Sequence, residues 1–133
     1  MPANVSTQYH ETGNVSFHAS GAVVGKTFVA PSANRTGGPG LSTDIENMWV
    51  LATCPAGTRA AGVAKYDVAN GGVGGVHGQP GMIVPVTAGA AITVGQEVEV
   101  GAAGKAIPLA SGKAVGLAMS GAASAADCPV KLY

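Results

Sequence analysis

Three histidines and two cysteines are the residues of this sequence whose chemistry could serve a metal site or acid–base catalysis. His10, His18 and His77 have no cysteine or carboxylate at a spacing that would place ligands on one face. Cys54 and Cys128 are each followed by proline, and neither has a further ligand nearby. These positions predict no metal site, no cofactor and no catalytic pair.

The sequence leaves the state of the two cysteines open. A protein made in the cytosol meets a reducing environment, which favours two buried thiols over a disulfide. The spacing of Cys54 and Cys128 does not decide between the two states.

The serines and the glycine-rich run lack the context that nucleophilic or phosphate-binding sites need. Ser111 lies between Ala110 and Gly112, outside the Gly-x-Ser-x-Gly pattern that exposes a nucleophile. Residues 70–78 are rich in glycine, but neither a Gly-Lys-Ser/Thr ending nor a helical pattern follows them. We expect no enzymatic activity, and we predict a flexible surface loop over 70–78.

The charge balance indicates which partners to expect. The chain has 7 basic and 7 acidic residues, so its net charge is zero and should attract neither nucleic acid nor an anionic membrane. Charged residues make up 11% of the chain, against roughly 25% in ordinary soluble domains. Much of the surface is therefore expected to meet another protein.

Length and composition predict one domain with a thin core. At 133 residues the chain has the size of a single domain. The 21 glycines and the 5% of aromatic residues leave mainly Val, Ile and Leu for the core, and thin cores favour oligomerisation. Neither an apolar run of about 18 residues nor a secretory signal is recognisable, so we expect a protein made in the cytosol, without a membrane span.

Short apolar runs separated by Gly, Pro, Asn and Ser predict an all-β fold, a compact β-barrel or β-sandwich. Alternation over 96–100 and a new run at 105–107 predict a hairpin around a small-residue turn. Thr43 and Glu46 have capping-box spacing, so a short helical turn and a loop leading into a strand both fit there. The candidate strands are 15–18, 22–29, 48–53, 60–66, 82–86, 97–100, 105–109, 114–119 and 129–132.

Two parts of the sequence resemble each other. Residues 59–64 (RAAGVA) are similar to residues 113–118 (KAVGLA), at an offset of 113 − 59 = 54. Residues 24–29 are similar to residues 94–99, at an offset of 94 − 24 = 70. The difference, 70 − 54 = 16, implies an insertion in the first half, at about 30–51, where turn-forming residues are frequent. The repeat predicts two related β units.

The segment before these units is predicted to be an arm. Residues 1–20 place a few aromatic and histidine side chains among small polar residues, which suits a tail or an arm that orders on a partner. The single β domain then spans 21–133. The candidate residues for contacts with other proteins or between subunits are Tyr9, His10, Phe17 and His18 in the arm, Arg35 in the insertion and Trp49 at its border.

Five segments from Ala88 onward carry a recognisable pattern, namely 91–101, 104–106, 114–118, 125–127 and 130–132. In these segments the sequence resembles the tailed-phage capsid decoration proteins, also called cement or head-stabilising proteins. Residues 60–64 repeat the same style less clearly. Where family members often have glycine before the acidic residue of the last turn, this chain has Ala126.

The resemblance implies a compact β-barrel or β-sandwich that assembles as a trimer on the outside of the phage capsid. There it is expected to bind the major capsid protein of the expanded lattice and to stabilise that lattice against the pressure of the packaged DNA. The implied location is the outer surface of the virion, after synthesis in the host cytoplasm. The low charge and the thin core agree with such a role.

A second class of function stays open at this point, namely an adhesion module of a virion or cell surface that binds glycans. Its marker is an aromatic platform with flanking polar side chains. The one cluster of this kind is Trp49 with Asp44, Glu46 and Asn47.

Overall fold

The structure is a computed structural model that describes residues 14–34 and 49–133. As the sequence predicted, these ranges are all-β. Their only regular secondary structure besides strands is a 3-10 turn at Ala102–Gly104. Within them, no helix is long and apolar enough to cross a membrane. The strands are β1 (Asn14–Ala19), β2 (Phe28–Ala33), β3 (Trp49–Thr53), β4 (Gly62–Ala64), β5 (Val73–His77), β6 (Ile83–Thr87), β7 (Glu97–Val100), β8 (Ala106–Pro108), β9 (Gly116–Ala118) and β10 (Asp127–Leu132).

The first five strands form a closed barrel in the order β1-β3-β2-β4-β5, and β5 pairs with β1 to complete the ring. β1 and β3 run parallel, with Phe17 opposite Trp49 and Ala19 opposite Leu51. Side chains alternate along the strands, so one set points inward and forms the core. This core consists of Phe17, Ala19, Val23, Val29, Leu51, Ala64, Val68 and Val76.

The last five strands repeat this arrangement. Their order is β6-β10-β9-β7-β8, in which β6 takes the place of β1 and β8 that of β3. Between β6 and β8 the sheet is joined by a single parallel bridge, from Ala88 to Ala106. The second unit is therefore an incompletely closed copy of the first, and we call the two units the first and second barrels.

Backbone hydrogen bonds identify equivalent residues in the two barrels. The Lys26 N–H donates to the Ala64 oxygen, as the Gly95 N–H donates to the Ala118 oxygen. The offset of 118 − 64 = 54 confirms the predicted one, whereas 95 − 26 = 69 corrects the predicted offset of 70 by one position. The prediction of two related β units is thus confirmed.

Left-handed turns explain the one-residue error. Lys26 has φ 62° and the equivalent Gly95 has φ 81°, while Gly71 has φ 79° and the equivalent Ala125 has φ 71°. The turns require this backbone conformation, which glycine adopts without strain and other residues adopt at some cost. In the sequence, Gly95 matches Gly25 because both are glycine, but its structural equivalent is Lys26.

The inward-facing side chains of the two barrels also correspond. Equivalent positions are those that occupy the same place in the strand pairing of each barrel. Each residue of the first core has a buried or half-buried apolar counterpart at the equivalent position of the second barrel. The repeat therefore extends from the turns to the core. The counterparts are Val86, Ala88, Ile92, Val98, Ala106, Ala118, Ala122 and Val130.

The barrels pack through the outer side of the first one. Phe28, Cys54 and Val63 point out of the first barrel, yet they are at most 2% exposed, because they join the core of the second barrel. Burial of apolar area is the main favourable term in such packing. The two barrels therefore form one continuous folded unit.

A short segment of the first barrel fills the open edge of the second. The Lys26 oxygen accepts a hydrogen bond from the Thr87 N–H of β6, at 2.9 Å. Next to β8, a Cβ added to Gly104 would lie 2.8 Å from the Phe28 oxygen, so only glycine fits there. Residues 26–28 thus lie in the gap between β6 and β8.

The predicted flexible loop at 70–78 is wrong, because Val73–His77 form β5 and Val76 is only 2% exposed. Glycine at position 74 serves packing rather than flexibility. A Cβ there would lie 2.4 Å from Val68 Cγ2 and 3.0 Å from Phe17 Cε1. The glycine makes room for the Phe17 ring.

The predicted arm at 1–20 also changes in extent. Residues 14–19 form β1 and belong to the first barrel, so the arm prediction applies only to residues 1–13, which lie outside the described residues. The predicted insertion at 30–51 includes the end of β2 and the start of β3, and its part at 35–48 lies outside the described residues too.

Candidate functional site

An apolar groove opens at one end of the first barrel, and we call it the mouth. Its volume is about 240 Å³. All its lining residues are apolar, so it suits an apolar protein surface better than a charged substrate. They are Pro31, Ala33, Trp49, Val50, Leu51, Ala61 and Val76.

The strands of the first barrel position these residues. Leu51 and Val76 belong to the buried core and form the floor of the mouth. Pro31, Ala33 and Ala61 are exposed at its rim. The register of β2 shifts between Pro31 and Ala33, and an irregular strand of this kind re-aims its side chains. The rim is therefore an exposed apolar surface on a rigid sheet.

A second cavity, of about 330 Å³, lies between the two barrels. Arg59 and Tyr133 are the polar side chains of its lining. A tyrosine phenol is protonated at neutral pH, and burial, followed by the nearby Glu97 carboxylate, raises the pKa of the Tyr133 phenol further. This lining offers no acid–base pair. It comprises Phe28, Arg59, Ala60, Ala61, Gly62, Gly78, Ala114, Val115, Leu132 and Tyr133.

Glu99 is a buried acidic residue, 6% exposed. Its Oε2 accepts hydrogen bonds from the Ala110 N–H at 2.9 Å and the Gly112 N–H at 2.7 Å. These two bonds, that of Ala110 first, lower the pKa of the Glu99 carboxyl. Glu99 thereby holds the loop between β8 and β9 in place. No cluster of three or more potential metal ligands occurs in the described part of the chain.

The sequence matches the model of the phage cement protein family over residues 7–132, a range that includes both barrels. The chain belongs to the phage cement protein family. This family consists of phage structural proteins, so the protein is a structural component associated with the phage capsid.

This cement protein shares its fold with a solved structure, the N base of the head fiber gp8.5 of bacteriophage phi29. The two chains are 21% identical, and the match has a TM-score of 0.72 and covers 90% of this chain and 92% of that chain. At this identity, the likeness is one of fold. No curated protein matches the cement protein in sequence.

The six predicted contact residues have different locations and different exposure. Phe17 is 0% exposed, so its prediction as an interface residue is wrong: its ring fills the first core beside Gly74. His18 is half-buried in β1 opposite Val50, a residue of the mouth, and Trp49 itself lines the mouth. Tyr9, His10 and Arg35 lie outside the described residues.

The polar residues considered for a glycan platform are not described by the structure either. Asp44, Glu46 and Asn47 lie in the segment 35–48, as does the capping-box pair of Thr43 and Glu46. Within the described residues, the other residues that line the mouth with Trp49 are apolar.

Sequence reasoning missed the rim of the mouth, because small apolar residues in strands ordinarily indicate a core. The rim becomes visible only in the folded structure, where the exposure of equivalent positions in the two barrels can be compared. At the corrected offsets, Pro31 and Ala61 correspond to Val100 and Val115, which are buried in the second barrel. Apolar positions that are buried in one barrel and exposed in the other indicate a surface available for contact with another protein.

Each barrel also exposes large apolar side chains at its turns, which we call the turn patches. In the first barrel, Val24 is 60% exposed and Tyr66 is 54% exposed. In the second, Val94 is 64% exposed and Met119 is 44% exposed. Val24 and Val94 lie in the equivalent turns that contain Lys26 and Gly95. Both barrels therefore expose apolar side chains in equivalent turns.

Proposed function

We propose that this chain binds the outer surface of the expanded phage capsid and stabilises the lattice of the major capsid protein as a trimer. The observation that carries the proposal is the match to the phage cement proteins over 7–132, which takes in both barrels. Exposed apolar surface and 11% charged residues support a role in protein contacts.

Stabilisation follows from selective binding. A protein that binds the expanded lattice and not its alternatives lowers the free energy of that state alone. A trimer engages several capsid subunits at once, so weak single contacts add to a strong overall attachment. The contacts proposed here are mainly apolar, and salt therefore weakens them little.

We assign the capsid contacts to the turn patches, because equivalent turns of both barrels expose apolar side chains. Val24 and Val94 carry the highest exposed fractions among the exposed large apolar residues described, 60% and 64%. Residues 1–13 are proposed to extend the footprint as an arm, with Tyr9 and His10 as contacts, and Arg35 is proposed as a further contact. The major capsid protein is the proposed partner, and nucleic acid and membrane are not.

The direct test mixes the purified protein with undecorated expanded heads and images the particles. We expect added density at regular positions on the outer surface, and binding that persists from low to high salt. A lattice that stays bare would refute the proposal. Val24→Asp and Val94→Asp should each reduce binding, whereas Ile83→Asp, which adds the same single charge at another exposed apolar residue, should not. A glycan array serves as the control for adhesion.

A further inference from the structure

The mouth of the first barrel has a counterpart in the second barrel that is covered. Val100 and Val115 take the places of Pro31 and Ala61, and they are 0% and 8% exposed. Pro31 and Ala61 are exposed. The same two positions of one fold are thus buried in one barrel and open in the other.

The outer side of the first barrel provides the cover. Phe28, Cys54 and Val63 point out of that barrel and belong to one buried cluster with Val100 and Val115. A contact of this kind joins two different surfaces of one repeated fold, an outer side and a mouth. Such a head-to-tail contact leaves two surfaces uncovered, the mouth of the first barrel and the outer side of the second.

The unmatched outer side belongs to the second barrel. Glu97, Leu109 and Leu117 are the counterparts of the three covering residues. Leu109 is 39% exposed, Glu97 is exposed and Leu117 is half-buried. We call these three residues the second-barrel face. Its two leucines suit the apolar lining of the mouth, and Glu97 lies between them, because β7 is the strand between β8 and β9.

We propose that the mouth of one chain receives the second-barrel face of another copy of this chain. The packing found between barrels within the chain is then continued between chains. Because the contact is head-to-tail, it closes into a ring when the rotation per barrel allows. Combined with the trimer of the proposed function, on which this inference rests, three chains place six barrels around one axis.

Two glycines support a rotation axis near the loops that follow β3 and β8. A Cβ added to Gly112 would lie 2.6 Å from the Gly57 Cα, and these glycines occupy equivalent loops of the two barrels. Equivalent parts of successive units touch each other only near the axis that relates them. The loops with Gly57 and Gly112 therefore lie toward the centre of the ring.

The contact between chains differs in one respect from the contact within the chain. Trp49 in the first barrel is the equivalent of Gly104 in the second. In the first barrel β3 pairs with β1, whereas the equivalent edge of the second barrel, between β6 and β8, is open. A segment such as 26–28 therefore cannot enter the first barrel. The second-barrel face lies instead on the rim of the mouth, and Trp49 is its large apolar contact, a residue type frequent at binding hot spots.

Charge placed on either surface tests the inference. Pro31→Asp alters the rim of the mouth, and Leu109→Asp alters the second-barrel face. Ile83→Asp is the matched control, because Ile83 is 54% exposed on β6, outside both surfaces. We expect the wild-type protein to sediment as three chains, both surface variants to associate about tenfold or more weakly, and the control to associate like the wild type. Ala33→Asp replaces Pro31→Asp if thermal unfolding shows the latter to be misfolded.

A mixture of the two surface variants tests the direction of the contact. It retains one intact mouth and one intact second-barrel face, so native mass spectrometry should detect a heterodimer that neither variant forms alone. A wild-type protein that stays monomeric, a variant that assembles normally, or a mixture without heterodimer would each overturn the inference. Binding to heads is measured separately: a wild-type protein that assembles but leaves heads bare refutes the proposed function and not the ring.

Discussion

Lys26 in the first barrel and Asp127 in the second form an ion pair, with 2.6 Å between Lys26 Nζ and Asp127 Oδ2. The side chains are 50% and 47% exposed. At the same place the Lys26 oxygen accepts a hydrogen bond from the Thr87 N–H. Since water and salt screen an exposed pair, the backbone bond and the apolar packing hold the barrels together more than the charges do.

Asp127→Asn is therefore expected to lower the free energy of unfolding by no more than about 1 kcal/mol. Urea denaturation at low and high salt measures the change, and the difference from the wild type should shrink as salt is added. A loss of several kcal/mol that persists at high salt would show that the pair matters more than its exposure indicates.

Gly74→Ala is expected to destabilise the protein by about 1–3 kcal/mol, because its Cβ has no space in the first core. The added atom would lie 2.4 Å from Val68 Cγ2 and 3.0 Å from Phe17 Cε1. Gly75→Ala is the matched control on the same strand, since its Cβ meets the flexible Lys65 side chain at 3.2 Å. Thermal or urea unfolding compares the two, and equal effects would contradict the packing role of Gly74.

Glu99→Gln is expected to reduce the dependence of stability on acid pH. Hydrogen bonds from Ala110 and Gly112 lower the pKa of the Glu99 carboxyl in the folded state. The stabilisation is therefore complete above the ordinary glutamate pKa and is lost as the pH falls through the lowered folded-state pKa. Urea unfolding across this acid range should show a smaller decrease for the variant than for the wild type. Parallel pH profiles would contradict the assignment.

Cys54 and Cys128 are buried and unpaired in the structure. Burial raises the pKa of both thiols, and the Thr58 hydroxyl only partly offsets this effect at Cys54. Since the thiolate is the reactive form, both cysteines should react slowly with Ellman's reagent in the folded protein at neutral pH. After unfolding, both should react. Rapid reaction in the folded protein, or fewer than two reactive thiols after unfolding, would contradict this prediction.

Features that depend on local sequence pattern could be predicted. The hairpin around 101–104 is confirmed by the antiparallel pairing of β7 and β8, because strand alternation and turn residues are both visible in the chain. The repeat of 59–64 at 113–118 has the correct offset, since both segments keep the same buried glycine at the start of a strand.

Features that depend on contacts between distant residues could not be predicted. Gly74 resembles a loop glycine until the Phe17 ring is seen beside it. Phe17 in turn resembled an interface residue, because its neighbours in sequence are small and polar. The mouth was missed for the same reason: Pro31 and Ala61 are far apart in sequence and meet only when the barrel closes.

The second barrel depends on the first for its open edge, and this dependence has a consequence for the order in which the chain folds. All five strands of the first barrel lie within residues 14–77, which are synthesised before the second barrel. The second barrel needs residues 26–28 at its open edge, whereas the first closes with its own strands. The first half of the nascent chain therefore provides a template on which the second half completes its sheet.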